Sequence, residues 1–89
     1  MINTEAVILK IGRRAAELRI KMGLTQDSLA NKAGVTGGYF RQIEGGWKDM
    51  RVSTLCKVAD MLGCHPRDLF VEPKRKQPGP GRPRNAKNV

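Results

Sequence analysis

Aromatic side chains are scarce, with two Phe, one Trp and one Tyr in 89 residues. Histidine is scarcer, since His65 is the single one and it stands just before a proline. The two cysteines, Cys56 and Cys64, stand eight positions apart. This set does not make a zinc pattern, so no metal site is expected. In a cytosolic chain the cysteines read as small packing residues rather than a disulfide. No Ser-His-Asp, Cys-His or paired-carboxylate arrangement stands out. The expectation is no catalytic residue, no cofactor and no enzymatic activity.

Long apolar runs are missing too. No stretch approaches the ~20 residues needed to cross a bilayer. The opening "MINTEAVILKIGRR" has an early acidic residue, a short apolar stretch and no small-residue cleavage site, so it does not read as a signal peptide. A soluble, cytoplasmic protein with no membrane partner is expected. The length suits one small domain with a thin core.

Acidic residues are few and unevenly placed. Lys and Arg number seventeen against eight Asp and Glu, a formal charge of +9. Residues 1–72 hold eleven basic and eight acidic groups, while residues 73–89 hold six basic and none acidic. Such a balance favours an anionic partner, either nucleic acid or an acidic membrane surface. A solubilising tail is the plainer alternative.

The apolar pattern is helical throughout, with no strand signal and no repeat. Ile8, Ile11, Ala15, Leu18 and Met22 form one stripe of a first helix, with Thr4 as its cap and Gly23 at its end. "TQDSLANKA" reads as a second helix, with Thr25 as N-cap and Asp27 in the positive first turn. Gly34 breaks it. A third helix starts at the cap Thr36, buries Phe40 and Ile43, and ends at Gly45-Gly46. Leu55, Val58, Ala59 and Leu62 mark a fourth helix, with Gly63 just past its end. Pro66 suits the first position of a short fifth helix, with Leu69 and Phe70 facing inward. After Val71 the apolar pattern stops. "EPKRKQPGPGRPRNAKNV" has four prolines and no large apolar residue before its last. It reads as a flexible arm. The fold class is therefore all-α: a compact five-helix domain over residues 5–71 and a disordered basic tail over 72–89.

Helices two and three share a register. Counting Gln26 as the first position, Ala30 is fifth and Gly34 ninth, with apolar residues Leu29, Ala33, Val35, Phe40 and Ile43 at the fourth, eighth, tenth, fifteenth and eighteenth. Ala30 is small where the third helix crosses it. Gly34 sits where a positive φ is easiest without a Cβ. The apolar set lines the inner angle of two helices held at roughly 90–120°. This is a helix-turn-helix pattern. An αα-corner without a DNA role is the alternative.

The stretch "LRIKMGLTQDSLANKAGVTGGYFRQIEGG…STLCKVADMLG" resembles the lambda-repressor/Cro, or xenobiotic-response-element-type, family, which includes phage repressors and restriction–modification controller proteins. The resemblance covers about residues 8–71. It implies a five-helix domain that binds double-stranded DNA as a homodimer on a two-fold-related operator, with the third helix in the major groove. It also implies residue roles. Gln26 would anchor the start of helix two on the DNA backbone, beside free N–H groups of a helix N-terminus. Thr25, Thr36 and Tyr39 would add hydroxyls for phosphate. Arg19 and Glu44 would form an interhelical ion pair, with a plain surface charge as the alternative for Arg19. Lys48 and Arg51 would hold phosphate after the third helix; Trp47 beside them reads as a packing residue, with a DNA contact as the alternative. Helix five, with Leu69, Phe70 and Val71, would supply the dimer contact. A small-molecule effector is not expected.

The resemblance departs from the family at Gly37 and Gly38, where similar proteins commonly carry side chains that read bases. Close backbone approach and water-mediated readout are two outcomes. The third, favoured here with close backbone approach as a contribution, moves reading to Arg41 and Gln42, which can pair bidentately with guanine and adenine. Arg41 as a phosphate ligand is its rival. In the tail, Gly81-Arg82-Pro83 with Arg84 resembles the core of an AT-hook, which lies along A·T minor grooves. Pro80 stands where that motif carries Arg, and plain phosphate attraction is the simpler alternative.

The expected function is a sequence-specific transcriptional regulator, a repressor or an autoregulating controller, associated with the nucleoid through DNA. The alternatives are an antitoxin-type protein whose tail wraps a toxin partner, and a nucleoid-type protein binding A·T-rich DNA non-specifically.

Overall fold

The computed structural model describes residues 1–46 and 49–74. Four α-helices follow in order: α1 (Thr4–Lys21), α2 (Gln26–Ala33), α3 (Gly37–Glu44) and α4 (Val52–Leu62). A 3₁₀ helix, Pro66–Phe70, closes the described chain. There is no strand among the described residues.

Local chemistry sets the helix starts. Thr25 and Thr36 accept bonds from Ser28 N (2.9 Å) and Tyr39 N (3.2 Å), relieving one orphan donor in each first turn. The cap of α1 is Asn3 rather than Thr4: its Oδ1 accepts from Ala6 N at 3.1 Å, and Thr4 becomes the first helical residue. Gly34 ends α2 in the left-handed conformation, φ 76° and ψ 27°, which sends the chain abruptly into α3.

The core gathers Ile11 and Ala15 from α1, Leu29 and Ala30 from α2, Phe40 and Ile43 from α3, Val58, Ala59 and Leu62 from α4, and Leu69. Phe40 and Ile43 are fully buried. Truncating a ring such as Phe40 to alanine costs about 3–5 kcal/mol in a packed core. Met22, the last residue of the expected α1 stripe, lies at the helix end and is exposed.

The fifth element differs from expectation. It is 3₁₀, with His65 and Asp68 forming a reciprocal capping box around Pro66. Successive side chains of such a helix point about 120° apart, and here Leu69 takes the inward direction. Leu69 is buried and Phe70 is 59% exposed, which corrects the inward placement of Phe70. Leu69 is accordingly withdrawn from any outer surface.

One close approach fixes α1 against α3. A β-carbon at Gly12 would strike the backbone oxygen of Ile43 and lie 2.8 Å from that of Glu44. Backbone cannot step aside as a side-chain tip can. The α1–α3 crossing therefore needs a residue without a side chain at position 12.

Candidate nucleic-acid interface

α3 is held from below at both ends. At its start the hydroxyl of Thr36 caps it, and at its end Glu44 joins three elements. Arg19 of α1 donates to both carboxylate oxygens, Nε to Oε2 at 2.6 Å and Nη2 to Oε1 at 3.0 Å. Arg19 Nη1 also donates to the carbonyl of Leu24 at 2.7 Å. Gln26, first residue of α2, donates from Nε2 to Glu44 Oε1 at 2.9 Å. The Arg19 and Glu44 side chains are only 12% and 9% exposed. A planar fork on a carboxylate with little water around it fixes direction as well as distance. The angle between α2 and α3 is thereby tied to α1.

Above this frame, α3 presents an outer face. Arg41 and Gln42 are exposed, on the side opposite Phe40 and Ile43. Gly37, Gly38 and Tyr39 are partly covered in the first turn, while Thr25 and Thr36 are exposed at the starts of their helices. The Gln26 amide is turned toward Glu44, so only part of its hydrogen-bonding capacity remains for an external partner.

Tyr39 links α3 to α4. Its ring meets Phe40 edge-on, centroids 5.9 Å apart, and the Lys57 ammonium lies 5.3 Å from its centroid. Burial raises the Tyr39 phenol above its ordinary pKa, keeping it protonated and a donor. Beside it a concavity of about 440 Å³ is lined by Tyr39, Asp49, Arg51, Ser53, Thr54 and Lys57. Two cations and three hydroxyls against one carboxylate suit an anion. Arg51 also stands at the N-cap of α4 without a side-chain cap bond, leaving that helix start open to an outside acceptor.

Ser53, Thr54 and Lys57 were missed by the sequence reading. Their signal in the sequence is a polar face one turn along α4, opposite the apolar stripe of Leu55, Val58, Ala59 and Leu62. Lys48, Arg82 and Arg84 lie outside the described residues, as do Trp47, Gly81 and Pro83.

The helix-turn-helix domain family matches residues 10–71. The chain belongs to this helix-turn-helix family. Membership makes it a DNA-binding protein. Among solved structures, the chain is similar to the restriction-modification controller protein C.AhdI from Aeromonas hydrophila. That likeness has 33% identity and a TM-score of 0.67 over 78% of this chain and all of that one. It is also similar to the clp gene regulator ClgR from C. glutamicum, with 26% identity and a TM-score of 0.64 over 73% of this chain and 84% of that one. A hypothetical transcription factor, NHTF from Neisseria, shares the fold, with 21% identity and a TM-score of 0.65 over 83% and 86% of the two chains. No curated protein matches the chain. Among the described residues of this helix-turn-helix protein, no helix is long and apolar enough to cross a membrane.

Proposed function

We propose that the protein is a sequence-specific transcriptional regulator, a repressor or autoregulating controller, that binds a two-fold-related operator as a dimer. The observation that carries the reading is the outer face of α3. Arg41 and Gln42 are exposed there, on a short helix whose inner face is buried and whose end is locked by Glu44. A rigid helix with long donor side chains facing out is what major-groove reading requires. The likeness to a restriction-modification controller and to a gene regulator supports it.

Residues 5–71 form the DNA-binding unit in this reading, and residues 72–89 a basic arm. Arg41 and Gln42 contact base edges. Thr25, Gln26, Thr36, Tyr39 and Arg51 hold the phosphate backbone, with Lys57, Ser53 and Thr54 extending the cradle toward α4. Lys48 belongs to the same backbone contact. Arg82 and Arg84 add attraction to phosphate or the minor groove. The dimer contact uses Phe70 and Val71, exposed at the closing helix, with Ile20 of α1 lining the same concavity as Val71. Regulation then works by occupancy of a promoter.

Selection from a random DNA pool, followed by titration of the selected site and of random DNA at one salt concentration, tests the reading. A selected two-fold sequence bound about 10³-fold or more above random DNA is expected. A ratio near one would mark a non-specific binder of A·T-rich DNA instead.

A further inference from the structure

The two glycines that open α3 are occupied ground. In a helix the side chain leans toward the N-terminus, so Arg41 runs back over the positions four and three residues before it, Gly37 and Gly38. A β-carbon at Gly37 would stand 3.3 Å from Arg41 Nη1, and one at Gly38 would stand 3.8 Å from Nη2. The guanidinium thus lies across the first turn of its own helix.

Asp27 reaches the same spot from α2. A β-carbon at Gly37 would strike Asp27 Oδ1 and lie 3.1 Å from its Cγ. Asp27 Oδ1 is 3.6 Å from Arg41 Nη1. The two side chains are 60% and 80% exposed, Arg41 and Asp27 respectively, so the pair faces outward rather than into the core. An ion pair this open adds little to stability. Its consequence is directional. Arginine carries five N–H donors, and an ion pair at the Nη1 end leaves enough of them for a bidentate pair with an acceptor outside. A long side chain aimed before binding also loses less conformational freedom on binding. The Asp27 carboxylate is itself favoured there, at the positive start of α3.

We infer that Asp27 is a specificity-determining positioning residue: seated in the space that Gly37 leaves, its carboxylate aims Arg41 at a guanine edge. This rests on the reading that Arg41 contacts bases. The missing first-turn side chains of α3 are replaced by a carboxylate borrowed from α2 and a guanidinium folded back from the next turn. Gly37 is then required for specificity, although alanine would make the better helix.

The test uses the full chain and its variants Arg41→Ala, Asp27→Asn, Gly37→Ala and Asp27→Asn with Arg41→Ala, with bound sequences selected from a random pool and counted. Arg41→Ala is expected to abolish preference at one base pair per half-site. Asp27→Asn and Gly37→Ala are each expected to weaken preference at that same pair by about threefold or more. In the Arg41→Ala background, Asp27→Asn is expected to change nothing further at that pair. Preference retained in Asp27→Asn, but lost in Arg41→Ala, would overturn the positioning role and leave base reading intact, whatever Gly37→Ala does. A uniform gain in affinity on Asp27→Asn, in both backgrounds and for every sequence, would reduce Asp27 to phosphate repulsion and also overturn it. Preference unchanged in Arg41→Ala would overturn base reading and, with it, this inference.

Discussion

Gly12 of α1 passes directly beneath the carbonyl of Ile43 in α3, with no room for a side chain between the two backbones. Gly12→Ala should gain about 0.8–1 kcal/mol from helix propensity. The new methyl must also push two carbonyl oxygens away, and overpacking of this kind costs about 1–3 kcal/mol or more. Because the clash is with backbone, the upper part of that cost applies, and net destabilisation of up to about 2 kcal/mol is expected, read as a lower urea midpoint at unchanged slope. A stabilised variant would mean that the helices separate without loss.

The Arg19–Glu44 pair should behave as a unit. Removing either partner leaves charge with little water to solvate it, and such losses run to about 3–5 kcal/mol in fully buried pairs. Arg19→Ala and Glu44→Ala should each cost about 2–4 kcal/mol, the remaining exposure softening the effect. The double variant should fall short of their sum by about 1 kcal/mol or more, measured by denaturant unfolding. Additive losses would show that each side chain acts through other contacts.

Tyr39 gives a stability change at alkaline pH. Burial raises its folded pKa above the ordinary 10.0. The unfolded chain therefore releases this proton first as pH rises. The contribution is fully present below pH 10 and is lost as pH climbs through the folded value. Unfolding midpoints of the parent should fall above pH 10 faster than those of Tyr39→Phe. Parallel curves would refute the link between the phenol and stability.

Truncation after Lys74 removes five basic residues, Arg75, Lys76, Arg82, Arg84 and Lys87. DNA affinity should drop and the plot of log affinity against log salt should become shallower. Each lost phosphate contact reduces the slope by about 0.9. Thermal unfolding of the shortened chain should match that of the parent, because residues 75–89 add no large apolar side chain except the last. An unchanged slope would remove the tail from DNA binding.

Which features were legible in the sequence follows from the range of the forces involved. Gly34, Phe40 and Ile43 could be read because a turn and a helix face repeat at fixed spacing. Thr25 and Thr36 could be read as caps because capping acts over three residues. Asn3 and Thr4 are both good caps, so local chemistry alone does not separate them. Leu69 and Phe70 are both apolar neighbours, so which of them faces the core depends on how the closing helix docks, and spacing does not give that. Gly12 gave no local sign of what crosses it. The meeting of Asp27, Gly37 and Arg41 depends on the angle between two helices, which no spacing rule specifies.

α2 and α3 have eight residues each. Isolated helices below about 12–15 residues barely persist in water. The candidate reading surface is therefore not portable. A peptide copied from it, or the same outer residues grafted onto another helix, would lack the Glu44 clasp and the Gly12 seat that give the surface its shape. Whatever sequence this protein selects, it selects as a whole fold.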